Sequence, residues 1–483
     1  RAVARFSGPG CSGVVKDVAN VGIGIDFGTT NSTAAVFDGK TVSLIHLEAG
    51  SPIMPSATYI DADLQTVTGQ EAIDRYIEGN TGRTVELVPE VIGRATLAVG
   101  AADPSGQRPA ETLSQAVYGE SMIDTGLRGR LFRGTKRLLG NQSVRRLMVF
   151  DHPFRLVALI TPILVHIRQE LEVGGIEVSS ACVGHPVNFE GRDSKRNEVA
   201  LNRLGEAYGH AGIKDHRFYP EPIAAAVSFL HEQPGAEGDT ILTVDFGGGT
   251  LDFCVLRRRS GNAFSVVATH GIALGGDHID QRIFSRLLFP LLGKGERWRR
   301  RGTDRQEIET QFPFEDYEDL LLNWAVTYLL NQNRYTTPVL ECISQGGEAR
   351  LKFRRLRELI QQNYSYLTFQ AIKDFKAELS VADHAVLDIA EIDIEAALTR
   401  REFEDVINDS LVRVEQAVLE TIRRADIAAK DVDIVLRTGG SSLIPAVQHM
   451  LNQHFPERVV NHDPFTSVAA GLAIADYHDL QIA

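Results

Sequence analysis

The chain has 483 residues, 43% hydrophobic and 23% charged, which is enough apolar surface for two or more packed units. Its net charge of −13 offers no bulk attraction for nucleic acid or an anionic membrane, so neither is expected as a partner. The four cysteines (Cys11, Cys182, Cys254, Cys342) lack metal-ligand or redox spacing, no apolar run reaches the roughly 18 residues of a membrane span, and residues 1–20 lack the apolar core of a signal peptide, so a reducing cytoplasm is the expected setting.

After an expected N-terminal tail over 1–20, residues 21–36 read VGIGIDFGTTNSTAAV. Ile23 and Ile25 mark a strand that stops at Asp26, and Gly28, Thr29, Thr30 and Asn31 make a turn. Residues 43–61 alternate and carry Pro52 and Pro55; 62–127 are less regular, and 100–109 read as an exposed, turn-rich loop. FRGTKRLLG follows at 132–140, with a Lys136-Arg137 pair. Residues 154–171 read as a helix, 181–189 (ACVGHPVNF) as a strand ending at Pro186, and 195–211 as a polar helix. In FYPEPIAAAVSFL, 218–230, Pro222 suits a first helical turn and Glu221 is an acid that the helix dipole favours.

Residues 240–256, TILTVDFGGGTLDFCVL, repeat the opening pattern. Ile241, Leu242 and Val244 lead to Asp245, then Gly247, Gly248, Gly249 and Thr250, then a returning strand interrupted by Asp252. GIALGGDHIDQRIF, 271–284, sets Gly275 and Gly276 ahead of a helix. Residues 297–305, RWRRRGTDR, are a basic run that reads as a solvated loop or as a recruiter of an acidic partner; a helical stretch follows at 315–330. AIKDFKAELS, 371–380, and residues 399–422 have helical period. DIVLRTGGSSLIPAVQHML, 433–451, is a strand, a Gly439-Gly440-Ser441 turn and a helix from Pro445; HDPFTSVAAGLAIAD, 462–476, is a last helix.

A hairpin with a glycine tip bares backbone N–H groups that can form an anion nest. An acid beside it can hold a hydrated cation, and a threonine hydroxyl can bond a phosphate oxygen. One such hairpin reads equally well as an ordinary glycine-rich turn. Two of them, followed in order by a strand, Gly-Gly-Ser and a helix, are similar to the actin, sugar kinase and Hsp70 superfamily. Within it, the chain resembles the Hsp70 nucleotide-binding domain over about 21–285 and 371–478.

The resemblance implies an α/β, two-lobed actin-like ATPase fold, with two ribonuclease H-like subdomains and inserted outer subdomains around a nucleotide cleft. Lobe I is then expected over 21–236, with an outer subdomain at 47–150. Lobe II is expected over 237–483, with an outer subdomain at 286–388 and a final helix, 465–478, returning to lobe I. ATP or ADP with Mg²⁺ is implied, the metal held through water by Asp26 and Asp245. The phosphates fall to Gly28, Thr29, Thr30, Asn31, Gly247, Gly248, Gly249 and Thr250, with Gly275 and Gly276 beside them. The nucleoside falls to Lys373, Lys376, Ser380, Gly439, Gly440, Ser441 and Asp463.

Residues 132–140 resemble a segment that carries the family's catalytic lysine, here Lys136, although most Lys-Arg pairs lie on the surface. Glu221, in a segment like Asn-Glu-Pro-Thr-Ala-Ala-Ala, is expected on the waters of the metal. Thr250 and Asp252 complete the catalytic set, with Asp252 orienting a water or else only satisfying the hairpin backbone. Pro186 falls on a proline described as a switch between nucleotide states. Lys373 stands where the family has Glu, and Ala377 and Leu443 stand where it has two arginines that sandwich adenine. Their loss removes roughly 0.5–2 kcal/mol each of cation–π and stacking energy, so weaker or less adenine-selective binding is expected.

A full Hsp70 continues into a β-sandwich for peptide and a helical lid; the resemblance here stops near the last helix, as in short bacterial Hsp70-like proteins. The expected function is an ATP hydrolase whose lobe closure signals to a protein: a co-chaperone, a nucleotide-exchange factor or a client. The alternatives are a small-molecule phosphotransferase of the sugar kinase kind, which needs a base facing a substrate hydroxyl, and a nucleotide-binding scaffold with negligible turnover.

Overall fold

The strand β1 (Ala19–Phe27) does not alternate apolar with polar because it is covered on both faces. Val21, Ile23, Ile25 and Phe27 enter one core, while Gly22 and Gly24 press against the backbone of the last helix. A methyl group on Gly24 would stand 2.2 Å from the carbonyl oxygen of Ala469, so only glycine permits this approach. The computed structural model describes residues 2–4, 19–99, 111–124, 126–178, 180–189, 195–233, 238–259, 263–301, 307–463 and 465–481. The loop expected at 100–109 and most of the tail expected at 1–20 lie outside them.

β1 pairs antiparallel with β2 (Asn31–Phe37), and β2 with β3 (Val42–Leu44). On its other edge β1 pairs parallel with β4 (Ser180–His185), which pairs parallel with β5 (Asp215–Pro220). Short strands at Ala2–Ala4, Met54–Pro55 and Ile176–Glu177 complete this sheet. The second sheet repeats the scheme. β6 (Thr240–Phe246) pairs antiparallel with β7 (Leu251–Arg258), and β7 with β8 (Phe264–Ile272). β6 pairs parallel with β9 (Ile434–Thr438), and β9 with β10 (Val459–Asn461). Both sheets therefore carry a glycine turn between their first two strands and add two parallel strands on the far edge.

Helices α1 (Leu156–Val173) and α2 (Arg196–His210) cover the first sheet through Ile160, Ile163, Ile167, Leu204 and Ala207. Helices α3 (Glu221–Glu232) and α8 (Ser467–Tyr477) share a core with residues of both sheets, among them Phe37, Cys182, Ile241 and Leu436. The alanine-rich faces are what let these two helices touch: a methyl on Gly471 would lie 1.7 Å from the carbonyl oxygen of Ala224. Other helices of the second half of the chain include α4 (Gly276–Ile283), α5 (Ser365–Val381), α6 (Arg400–Arg424) and α7 (Pro445–His454). Thr399 caps α6 in a capping box, its hydroxyl accepting from the Glu402 N–H while the Glu402 carboxylate accepts from the Thr399 N–H.

The chain divides into two compact units, one of residues 1–78, 129–291 and 366–483, which holds both sheets, and one of 79–128 and 292–365. In the smaller unit, Phe312, Phe314, Tyr317 and Phe353 form an aromatic core. Residues 62–127, irregular by pattern, hold a helix, Gly69–Asn80, and a hairpin of Leu87–Val99 with Glu111–Asp124. The described part of the basic run, 297–301, is not a loop. Arg297–Arg301 is a strand paired with Glu307–Gln311, and cross-strand glutamates draw off its charge, Glu309 at 2.9 Å from Arg297 and Glu307 at 3.7 Å from Arg299. The helical stretch expected at 315–330 ends at Leu321 and resumes as a short 3₁₀ turn, Thr327–Leu330. Among the described residues no helix is long and apolar enough to cross a membrane.

Candidate functional site

The two glycine turns meet. A methyl on Gly248 would stand 2.7 Å from Thr30 Oγ1, and one on Gly28 2.1 Å from the carbonyl oxygen of Asn31. A methyl on Gly249 would fall 1.4 Å from the Arg137 guanidinium, so that position has no room for a side chain while Arg137 lies across it. Backbone bonds from Gly276 to Gly247 O (2.9 Å) and from Asp277 to Gly248 O (2.8 Å) tie the start of α4 to the second turn. Around these turns lies a cavity of about 820 Å³.

Strand register sets the acids. Asp26 is the last residue but one of β1, opposite Thr33, and Asp245 is the last but one of β6, opposite Asp252. Burial, reinforced by the nearby carboxylate of Glu221, pushes the Asp26 carboxyl up to about 7. Burial and the facing Asp252 push Asp245 to about 7 as well, against a hydrogen bond from Thr438. Asp26 Oδ1 is buried without a hydrogen-bond partner. Burial acts to lower the Lys136 ammonium, but Glu221, Asp26 and Asp245 outweigh it and hold the group above the ordinary lysine value. Lys136 sits on a 3₁₀ turn that opens at Gly134 in the left-handed region (φ 64°), and its Nζ lies 2.6 Å from Glu221 Oε1, at the first residue of α3.

At the other end, Gly439 needs glycine twice over: its φ is +76°, and a methyl there would stand 2.4 Å from Phe246 O and 2.8 Å from Asp245 Oδ1. Gly276 faces Ser441 and Lys376, a methyl on it lying 2.5 Å from Ser441 Oγ and 3.5 Å from Lys376 Nζ. Lys376 pairs with the buried Asp280 at 2.6 Å. Burial lowers the Lys373 amine, with Asp280 and Asp277 opposing.

The cavity gathers Asp26, Gly28, Thr29, Thr30, Asn31, Lys136, Pro186, Glu221, Asp245, Gly247, Gly248, Gly249, Thr250, Asp252, Gly276, Lys373, Lys376, Ser380, Gly439, Gly440 and Ser441 in its lining. Gly275 and Asp463 are not in that lining. Gly275 packs on the second turn, where a methyl would meet Gly248 O at 2.2 Å. Asp463 accepts from the backbone of Phe465 and Thr466 and from the Thr466 hydroxyl. The Ser380 hydroxyl donates to Lys376 O, one turn back in its own helix.

Four side chains had no sequence signal of their own. Arg137 hides in a Lys-Arg pair of ordinary appearance. Asp280 is recognisable only by its place on the same face of α4 as Gly276, one turn on. Arg437 is 3% exposed and donates to Ser442 O and Asn461 Oδ1, bracing the Gly439 turn. Phe465 lies against Gly440, where a methyl would stand 2.8 Å from its ring.

Two observations bear on a metal and a polyphosphate. At Gly28, Gly248 and Gly249 an added Cβ would collide with its neighbours, so these turn positions stay bare backbone, and Asp26 offers a buried oxygen with no partner. No group of three or more His, Cys, Asp or Glu side chains among the described residues forms a metal cage. Two carboxylates on a polar cavity are the donor set of a cation that keeps several waters, as Mg²⁺ does.

The sequence profile of the family described as "Hsp70 protein" matches residues 22–136, 144–291 and 353–476. The chain belongs to the Hsp70 family. The Hsp70 assignment brings the actin-like, two-lobed α/β fold expected from sequence, and the twice-built sheet agrees with it. Among curated Hsp70 relatives, the heat shock 70 kDa protein BIP3 of Oryza sativa subsp. japonica is 26% identical over 459 residues, covering 94% of this chain and 56% of the relative. The chloroplastic stromal 70 kDa heat shock-related protein of Pisum sativum is 27% identical, covering 95% and 54%. The mitochondrial heat shock 70 kDa protein of Solanum tuberosum is 24% identical, covering 95% and 55%. The chain spans about half the length of the curated relatives it matches.

Proposed function

We propose that this Hsp70-family chain binds ATP with Mg²⁺ between its two glycine turns, hydrolyses it to ADP, and uses closure of its lobes to signal to a protein partner in a chaperone-type role. The observation that carries the reading is the meeting of Thr30 with Gly248 beside the unpartnered oxygen of Asp26. Backbone N–H groups of both turns, with the Thr29, Thr30 and Thr250 hydroxyls, would hold the phosphates. Asp26 and Asp245 would hold the metal's waters, with Glu221 beside them. Mg²⁺ in that place would supply charge neutralisation for the phosphate oxygens. Lys136 would stabilise charge growing on the transferred phosphoryl group, and Asp252, facing Asp245 across the hairpin, would orient the attacking water.

A co-chaperone, a nucleotide-exchange factor or a client is the proposed class of partner, and the cytoplasm the proposed location. Calorimetric titration with Mg-ATP and a single-turnover assay with labelled ATP test the reading. Binding followed by transfer to water supports it; no binding, or transfer only to an added small-molecule hydroxyl, defeats it. Pull-downs in ATP and in ADP that recover the same proteins in the same amounts would remove the signalling part.

A further inference from the structure

We infer that Phe465 is the platform on which this chain stacks the base of its nucleotide, in place of the guanidinium pair that Ala377 and Leu443 deny it. The inference rests on the reading of the cavity as a nucleotide site. Phe465 lines that cavity and is 48% exposed, the one exposed phenylalanine among the described residues. Other large aromatic rings of this chain, such as Phe246, Phe253 and Phe284, are buried in cores. An exposed aromatic face in a polar-ended cavity is a position that stacking on a flat, apolar group would cover.

The backbone that carries the ring is held by its own loop. The Phe465 N–H donates to Asp463 Oδ1 at 2.8 Å, the Thr466 N–H donates to the same oxygen at 3.0 Å, and the Thr466 hydroxyl donates to Oδ2 at 2.7 Å. α8 starts directly after it. On its inner side the ring rests on Gly440, the centre of the Gly-Gly-Ser turn. Leu443 and Val381, both exposed, line the same cavity with Ala377. This lining gives a base apolar contact and one aromatic face, and the nearby ammonium of Lys376 is already engaged by Asp280. A platform reads the π-face that every base has, not the edge that tells adenine from guanine. Mg-ATP and Mg-GTP should therefore bind with similar affinity, and pyrimidine triphosphates, with less area to stack, more weakly.

The test is calorimetry on the full chain with Mg-ATP and, separately, with Mg-tripolyphosphate, which has phosphates and no base. Phe465→Ala should weaken ATP roughly tenfold, about 1.4 kcal/mol, and leave tripolyphosphate unchanged. Phe465→Trp should restore ATP binding and Phe465→Leu should not, since leucine keeps the apolar volume and loses the face. Gly440→Ala, whose methyl would displace the ring, should act in the same direction as Phe465→Ala. Thermal unfolding of each variant checks that it is folded. Wild-type ATP affinity in Phe465→Ala, full rescue by Leu, or equal loss for ATP and tripolyphosphate would each overturn the inference. A wild-type chain that binds neither ligand would overturn the nucleotide reading, and this one with it.

Discussion

Asp26 and Asp245 ionise near pH 7 chiefly because burial withholds water from their charged forms. A carboxyl raised in this way is still protonated in the folded chain at pH values where the unfolded chain has already released its proton. Its contribution to stability is therefore best below the ordinary aspartate value and declines as pH climbs from there to about 7. Asp245→Asn should accordingly raise the Tm of the ligand-free protein at about pH 8, and the gain should shrink toward about pH 4. A Tm at the higher pH equal to or below that of the wild type would show that Asp245 is ionised at little cost. The same proton has to leave when a cation is bound, so Mg-ATP titrations near about pH 6 should release protons, read as a dependence of the heat on buffer ionisation enthalpy. Lys136 gives a different readout. Lys136→Ala should slow single-turnover hydrolysis on the order of 10²–10³ while ATP still binds. An unchanged rate would remove Lys136 from the chemistry.

At the scale of elements, a side chain from elsewhere lies across the second glycine turn. Arg137 lies across Gly249 so closely that Gly249→Ala has to push the guanidinium aside. The obstacle is the mobile end of a long side chain, so the fold should survive while Mg-tripolyphosphate binds at least several-fold more weakly, as calorimetry would measure. The capping box of α6 is a control for pure stability: Thr399→Ala should cost about 1 kcal/mol in denaturant unfolding and leave nucleotide affinity alone. The glycine hairpins were legible in the sequence because strand, acid and glycine follow one another within each, and local order sets local geometry. The helix from Pro445 was legible for the same reason. The hairpin at Arg297–Arg301 was not, since its charge reads as solvated until the facing Glu307 and Glu309 are known. Nor were Asp280 and Arg437, whose meaning comes from burial beside residues distant in sequence. Asp463 shows the limit of motif transfer: the match gives its place in the chain, while its hydrogen bonds show what its oxygens hold, the loop that carries Phe465.

For the molecule as a whole, a ligand that binds only the folded state raises stability by an amount fixed by its concentration, about 2.7 kcal/mol at a hundredfold excess over Kd. Mg-ATP should therefore shift the unfolding of the unit that holds both sheets, and a calorimetric scan that shows no shift at saturating Mg-ATP would contradict the binding reading. That unit has the character of a palindrome with one letter changed. Five strands of each sheet share order and direction, and each sheet places an aspartate at the same corner, Asp26 in one and Asp245 in the other. The residues facing those corners differ. Asp245 faces Asp252, whereas Asp26 faces Thr33, a buried hydroxyl with no hydrogen-bond partner. A site made from two equal halves has no front or back, and a linear triphosphate could lie in it either way round. Swapping one carboxylate for one hydroxyl makes the two corners unequal: a second acid faces the aspartate across the hairpin at the β6–β7 corner and a hydroxyl does so at the β1–β2 corner, so a triphosphate bound as proposed would have its two ends in different surroundings.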